Sequence, residues 1–341
     1  MDKTNYLKEI EILLKNNDES NENISNVLKY AANLLNLDMP VIFDKSHLAT
    51  LLGLSVSDFN HYVIGSNDSQ YNTLMIPKKS GSFREISIPS VELKKMQRWI
   101  LDNILYKIEV SEYATGFVRK KSIKDNAKCH LENNCVINLD LKNFFPTIHF
   151  DRVFKIFYYS GYTKEVSFLL SKICTYKSIL PQGSPASPQI SNIACLKLDY
   201  RLSKLSKCFR ASFSRYADDL TFSGDYGITK IIDTVKKIVN DEGFEVNEKK
   251  IRIQFKHQKQ NVTGLTVNDF KVRVSREYLR KFRQEIYFCQ KFGIRDHLRF
   301  INSDRRYFRD YMYGKAYFIN MIDVDEGKLL LNKLNQINWE V

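Results

Sequence analysis

Tyr216-Ala217-Asp218-Asp219 sets two carboxylates side by side within Phe213-Ser-Arg-Tyr-Ala-Asp-Asp-Leu-Thr-Phe222. Apolar and polar residues alternate on both sides, which predicts two short strands joined by a tight bend. Adjacent carboxylates repel each other and lose solvation when buried, and a divalent cation offsets that cost. Hard oxygen ligands of this kind suit Mg²⁺. A third carboxylate, Asp140, ends the apolar run Val136-Ile-Asn-Leu-Asp140 and precedes Leu141-Lys-Asn-Phe-Phe-Pro146. Three aspartates at two strand ends can hold two metal ions for in-line phosphoryl transfer. A lone Asp-Asp pair is usually a solvated turn, so the weight rests on the ordered set. That set is Asp140, then Leu180-Pro-Gln-Gly-Ser-Pro-Ala-Ser-Pro188, then Asp218-Asp219.

The elements that must position these residues are legible in outline. Residues 3–15 and 24–35 carry apolar positions at helical spacing, with a polar loop over 16–26 between them. The pair reads as a structural cap or a docking surface. Tyr71-Asn-Thr-Leu-Met-Ile-Pro77 and Phe83-Arg-Glu-Ile-Ser-Ile-Pro89 read as two strands joined by the turn Lys78-Lys-Ser-Gly-Ser82. Residues 151–178 read as helices, and Gly243 to Lys250 lies between a helix and a short strand. The 341 residues are 43% hydrophobic, enough for a large core or several subdomains. The six cysteines form no Cys-x-x-Cys pair, which argues against a zinc site. No apolar run approaches a membrane span, and no secretory leader opens the chain. Reduced thiols in a cytoplasmic protein are the expectation.

The formal net charge is +13, which points to a polyanionic partner, nucleic acid before membrane. Much of it lies in residues 271–315, where 13 Lys/Arg face 5 Asp/Glu and ten Phe/Tyr are interleaved. Such a surface suits backbone tracking and base stacking, although many of the rings must also serve the core. Arg276, Arg280 and Arg283 have near-helical spacing and can share one face.

The ordered set resembles a reverse transcriptase: Asp140 matches the first catalytic aspartate, Pro181-Gln-Gly-Ser-Pro185 the nucleotide-pocket motif, and Tyr-Ala-Asp-Asp the catalytic signature. Asn126-Ala-Lys-Cys-His130 and Val262-Thr263-Gly264 match the Asn-Ala-x-x-His and Val-Thr-Gly elements of bacterial retron reverse transcriptases. The resemblance covers roughly residues 45 to 335. It implies an α+β right-hand polymerase with fingers, an antiparallel-sheet palm and a helical thumb. The implied boundaries are an N-terminal helical extension 1–45, fingers 46–135, palm 136–260 with inserted helices at about 151–178, and thumb 261–341.

It also implies roles. Asp140 and Asp218 bridge two Mg²⁺ ions, Asp219 is a weaker or outer ligand, and the Leu141 carbonyl completes one site. Phe145 packs under the sugar and favours dNTPs, while Phe144 is core. Gln182 contacts the incoming nucleotide, and Arg84 with Lys78 or Lys79 holds its triphosphate. Lys250 stands where a lysine protonates the leaving pyrophosphate, or is merely solvated. Asn126 and His130, at i and i+4, contact the structured RNA or its product, or His130 is a structural histidine. Val262, Thr263 and Gly264 lie near the gripped primer strand. A retron enzyme copies part of a noncoding RNA into branched single-stranded DNA, in anti-phage defence with a separate effector protein. A group II intron-like or abortive-infection reverse transcriptase, and a non-catalytic RNA-binding scaffold, are the competing readings.

Overall fold

Strand-like runs on either side of a polar turn predict a hairpin, and the computed structural model contains it. β1 (Tyr71–Pro77) and β2 (Phe83–Pro89) pair antiparallel, with Tyr71 opposite Pro89 and Pro77 opposite Phe83. The structure describes residues 2–65, 67–77, 81 and 83–339. Lys78 and Lys79, expected in the connecting turn, lie outside the described residues.

The chain divides into two compact units that interleave in sequence. The first comprises Met1–Glu112, Lys142–Tyr200 and Val239–Glu245, and holds the β1–β2 hairpin. Its first two helices run Lys3–Asn16 and Asn21–Asn36. The polar loop between them is shorter than expected, because the Ser20 hydroxyl accepts from Asn23 N and starts the second helix early. That helix buries Ile24, Ala31 and Leu34. The first buries only Ile10 and leaves Ile12 and Leu13 exposed. The region expected to be helical over 151–178 forms helices Phe150–Tyr159 and Lys164–Cys174.

The second unit comprises Tyr113–Leu141, Arg201–Ile238 and Val246–Val341. β3 (Cys135–Asp140), β4 (Ser212–Tyr216), β5 (Asp219–Gly224) and β6 (Arg252–Phe255) form an antiparallel sheet in the order β4-β5-β3-β6. β3 lies between β5 and β6, and Cys135 to Leu139 are all buried; the run is apolar except for Asn138, whose Nδ2 donates to Thr221 Oγ1 at 3.1 Å. β7 (Asn261–Val262), β8 (Leu265–Thr266) and β9 (Arg273–Val274) form a second small sheet. Helices Arg276–Phe292, Ile294–Phe300, Phe308–Ile322 and Val324–Asn335 follow. Phe282, Ile286, Met312, Ile319, Leu330 and Leu334 form their core with Val262, Leu265 and Val274. Gly327 lets the last two helices meet, since a Cβ there would lie 2.2 Å from Asn320 Cα. Among the described residues no helix is long and apolar enough to cross a membrane.

Candidate active site

Pairing register brings two of the three aspartates together. Asp140, the last residue of β3, lies directly opposite Asp219, the first of β5, and Asp219 also pairs with Tyr216 of β4. Asp218 sits in the two-residue bend between β4 and β5. Ala217, beside it, has φ +56°, a backbone that non-glycine residues seldom adopt. Two neighbours hold the bend. The fully buried Arg215 donates from Nη1 to the Ala217 carbonyl at 3.2 Å. Gly116 approaches so closely that a Cβ there would lie 2.5 Å from Ala217 N. Leu141 N donates to the Asp218 carbonyl at 2.9 Å, and Asn247 N to the Asp140 carbonyl at 2.7 Å.

These backbone bonds fix where the carboxylates start, and electrostatics set what they do. Burial, then the charges of Asp218 and Asp140, push the Asp219 carboxyl up to about 6 against the pull of Arg252 and Lys250. Lys250 Nζ lies 2.8 and 3.0 Å from the two Asp140 carboxylate oxygens. Asp140, Asp219, Lys249, Lys250 and Arg252 line a cavity of about 370 Å³ floored by Asn138 and Leu139. Among the described residues no three His, Cys, Asp or Glu side chains converge on one point, and the Lys250 ammonium supplies the cation that Asp140 meets. The donor set fits a divalent ion: it is all oxygen and crowded, and burial together with two neighbouring carboxylates makes one member resist ionisation.

Of the nucleotide-site candidates, Arg84, Phe145 and Gln182 belong to the first unit and Lys250 to the second. Arg84 is exposed on β2, opposite Ile76. The Gln182 carbonyl accepts from Ser87 N of β2 at 2.8 Å. Gly183, at φ +127°, is pressed to the same strand, where a Cβ would meet the Ser87 carbonyl at 2.4 Å. Phe144 is buried, as expected of a core ring, and Phe145 is half-buried with its ring edge-on to Phe144 at 5.4 Å.

Three expected nucleic-acid contacts are corrected. Asn126, His130 and Val262 have no exposed surface, so none of them touches a strand held outside the protein. Asn126 Oδ1 accepts from Thr115 Oγ1 and Ser214 Oγ, each at 2.7 Å. His130 bonds Ser223 Oγ through Nδ1 and Ser214 Oγ through Nε2, both at 2.7 Å. Ser214 has one proton and gives it to Asn126 Oδ1, so His130 Nε2 carries a hydrogen and Nδ1 accepts from Ser223. Burial lowers the His130 pKa to about 3, which keeps this ring neutral. Helical spacing joined Asn126 and His130 on one face, and that face turned inward.

Thr263 is half-buried and Gly264 exposed. Arg276, Arg280 and Arg283 are all exposed, and Arg283 forms a two-point ion pair with Glu326 at 2.7 and 3.2 Å, with which a phosphate there would have to compete. Of the ten rings in 271–315, Tyr287, Phe292, Phe300 and Tyr307 are exposed and the rest are at least half-buried. The sequence reading missed Arg215, Gly116, Lys249 and Arg252. Arg215 left a signal: strand alternation puts it on the same face as the buried Phe213.

An antiparallel sheet that gathers carboxylates at its strand ends beside a cationic cavity defines a nucleotidyl-transfer site. Residues 76–267 match the family model "Reverse transcriptase (RNA-dependent DNA polymerase)". The chain is 36% identical over 272 residues to the retron Ec86 reverse transcriptase of Escherichia coli, covering 78% of this chain and 85% of that protein. It is 32% identical over 336 residues to the retron Mx65 reverse transcriptase of Myxococcus xanthus, covering 92% and 76%. It is 34% identical over 328 residues to the retron Mx162 enzyme of the same organism, covering 85% and 66%. The chain belongs to the retron reverse transcriptases and is an RNA-directed DNA polymerase. Polymerases of this family use divalent metal ions, and their template is RNA.

Proposed function

We propose that this enzyme copies a structured noncoding RNA into a single DNA strand that stays branched from a guanosine 2′-hydroxyl of that RNA. The carrying observation is the register that sets Asp140 opposite Asp219, with Asp218 on the adjoining bend. Asp140, Asp218, Asp219 and the Leu141 carbonyl would hold two Mg²⁺ ions, which when bound would supply Lewis acidity toward the primer hydroxyl and charge neutralisation for the triphosphate. Lys250 neutralises Asp140 at rest and, once released from it, protonates the pyrophosphate. Arg84 and Lys78 hold the triphosphate, Gln182 the nucleotide, and the Phe145 ring excludes the 2′-hydroxyl of a ribonucleotide.

Residues 46–135 act as fingers, 136–260 as palm and 261–341 as thumb, with 1–45 an extension. Gly264 borders the primer strand, and Arg276 with Arg280 contacts RNA phosphates. Membership in the retron group supports a place in anti-phage defence, with a separate effector protein. In the test, Asp218→Asn with Asp219→Asn should abolish primer extension with Mg²⁺ while RNA binding persists through distributed phosphate contacts. Undiminished extension would refute the site. Sequencing nucleic acid that co-purifies with the protein should reveal RNA–DNA joined at a 2′-hydroxyl, whereas RNA alone would favour a scaffold.

A further inference from the structure

Thr263 holds a backbone conformation that threonine disfavours. β7 and β8 are joined by two residues only, Thr263 at φ +47° and Gly264 at φ +89°, with Val262 paired to Leu265. Positive φ at both central positions is the type I′ hairpin turn, whose preferred occupants are Asn, Asp and Gly. Gly264 accepts its place without strain. A β-branched residue at the first position is an outlier that costs on the order of 1–3 kcal/mol. The Thr263 side chain makes a contact that bears on this cost: its Oγ1 accepts from Asn126 Nδ2 at 3.3 Å.

Asn126 joins that hydroxyl to the strand before the catalytic bend. Its Oδ1 accepts from Ser214, which lies on β4 four residues before Asp218, and from Thr115. Thr115 in turn donates from its backbone N at 2.8 Å to the Arg215 carbonyl. The Arg215 guanidinium holds the Ala217 carbonyl. One buried amide therefore uses its oxygen twice and its nitrogen once, and ties the β7–β8 turn to β4, the strand that leads into the bend that bears Asp218. Buried networks of this kind are stiff, because removing any partner leaves a desolvated polar atom unpaired.

We propose that Thr263 and Asn126 are positioning residues for DNA synthesis: the strained turn keeps a hydroxyl on Asn126, and Asn126 fixes the strand that aims Asp218. This rests on the reading of Asp218 as a catalytic ligand. It unites two motifs, Asn-Ala-x-x-His and Val-Thr-Gly, in one device that touches neither nucleotide nor metal.

The test uses the full chain and a generic primer–template with Mg²⁺, reading kcat and KM for dNTP beside the thermal midpoint. Thr263→Ser keeps the hydroxyl and should stay within about twofold of wild type in kcat. Thr263→Gly relaxes the turn but removes the hydroxyl. Its midpoint should fall only modestly, by no more than the one lost hydrogen bond, since relief of strain offsets glycine's added chain entropy. Its kcat should fall roughly tenfold, the value of one hydrogen bond, with KM unchanged. Asn126→Ala combined with Thr263→Gly should lose no more than Asn126→Ala alone. Wild-type kcat in Thr263→Gly, a loss confined to KM, or losses that multiply in the double variant would each overturn the proposal. Asp218→Asn serves as the control. If that variant still extends primers, the catalytic reading itself fails, which is a different result from a silent Thr263→Gly.

Discussion

His130→Ala should destabilise the enzyme strongly at neutral pH and only weakly in acid. The wild-type ring is fully buried and bonds two serine hydroxyls, Ser214 and Ser223. Removing it opens a cavity and strips a partner from each hydroxyl, a loss of about 4 kcal/mol at pH 7.5. Burial holds the folded ring neutral down to about pH 3, while an unfolded histidine takes up a proton near its ordinary value of 6.5. Between those values the unfolded chain binds one more proton than the folded one. The stability that His130 contributes is therefore complete above pH 6.5 and is lost as pH falls, by about 1.4 kcal/mol per unit. At pH 4.5 the gap between wild type and His130→Ala should have shrunk to roughly 1 kcal/mol. Urea unfolding at pH 4.5, 5.5, 6.5 and 7.5 reads this directly, and other titrating groups cancel in the difference between the two proteins. A gap that stays constant across this range would refute the neutral, buried ring. RNA affinity per folded molecule should not change, because the ring has no surface to offer.

Asp219 has the opposite sign. Its folded carboxyl, at about 6 rather than 3.8, binds more protons than the unfolded one, so its ionisation costs stability as pH rises through that window. Asp219→Asn in metal-free buffer should be more stable than wild type by about 2–3 kcal/mol at pH 7.5 and equal to it near pH 4, and millimolar Mg²⁺ should narrow the gap by stabilising wild type. A variant less stable than wild type at pH 7.5 would contradict this. Phe145→Ala or Phe145→Val should admit ribonucleotides while some dNTP incorporation remains; competition assays that return the wild-type preference would move the gate elsewhere. Arg276→Ala with Arg280→Ala should flatten the salt dependence of RNA binding by roughly 0.7–0.9 in log–log slope for each RNA phosphate left without its arginine. An unchanged slope would mean that this charge does not meet RNA.

Local pattern determined much of this protein. Alternating and unbroken apolar runs marked β3, β4 and β5, because a strand's side-chain period is written in the residues themselves. The three aspartates stood out because Asp140 ends one such run and Asp218 and Asp219 lie at the bend between two others, where carboxylates side by side need a cation. The charge of 271–315 was legible by composition. What the sequence could not carry is which face of an element the rest of the chain covers. Asn126 and His130 share a face at helical spacing, but only packing showed that this face looks onto Ser214 and Ser223 rather than outward. Arg283 differs from Arg276 and Arg280 because Glu326, 43 residues away, reaches it. Lys250 meets Asp140 across 110 residues. Residue spacing fixes direction within one helix or strand. Partners brought from distant segments decide whether a charge is paired, buried or free, and that decision exists only once the chain has folded.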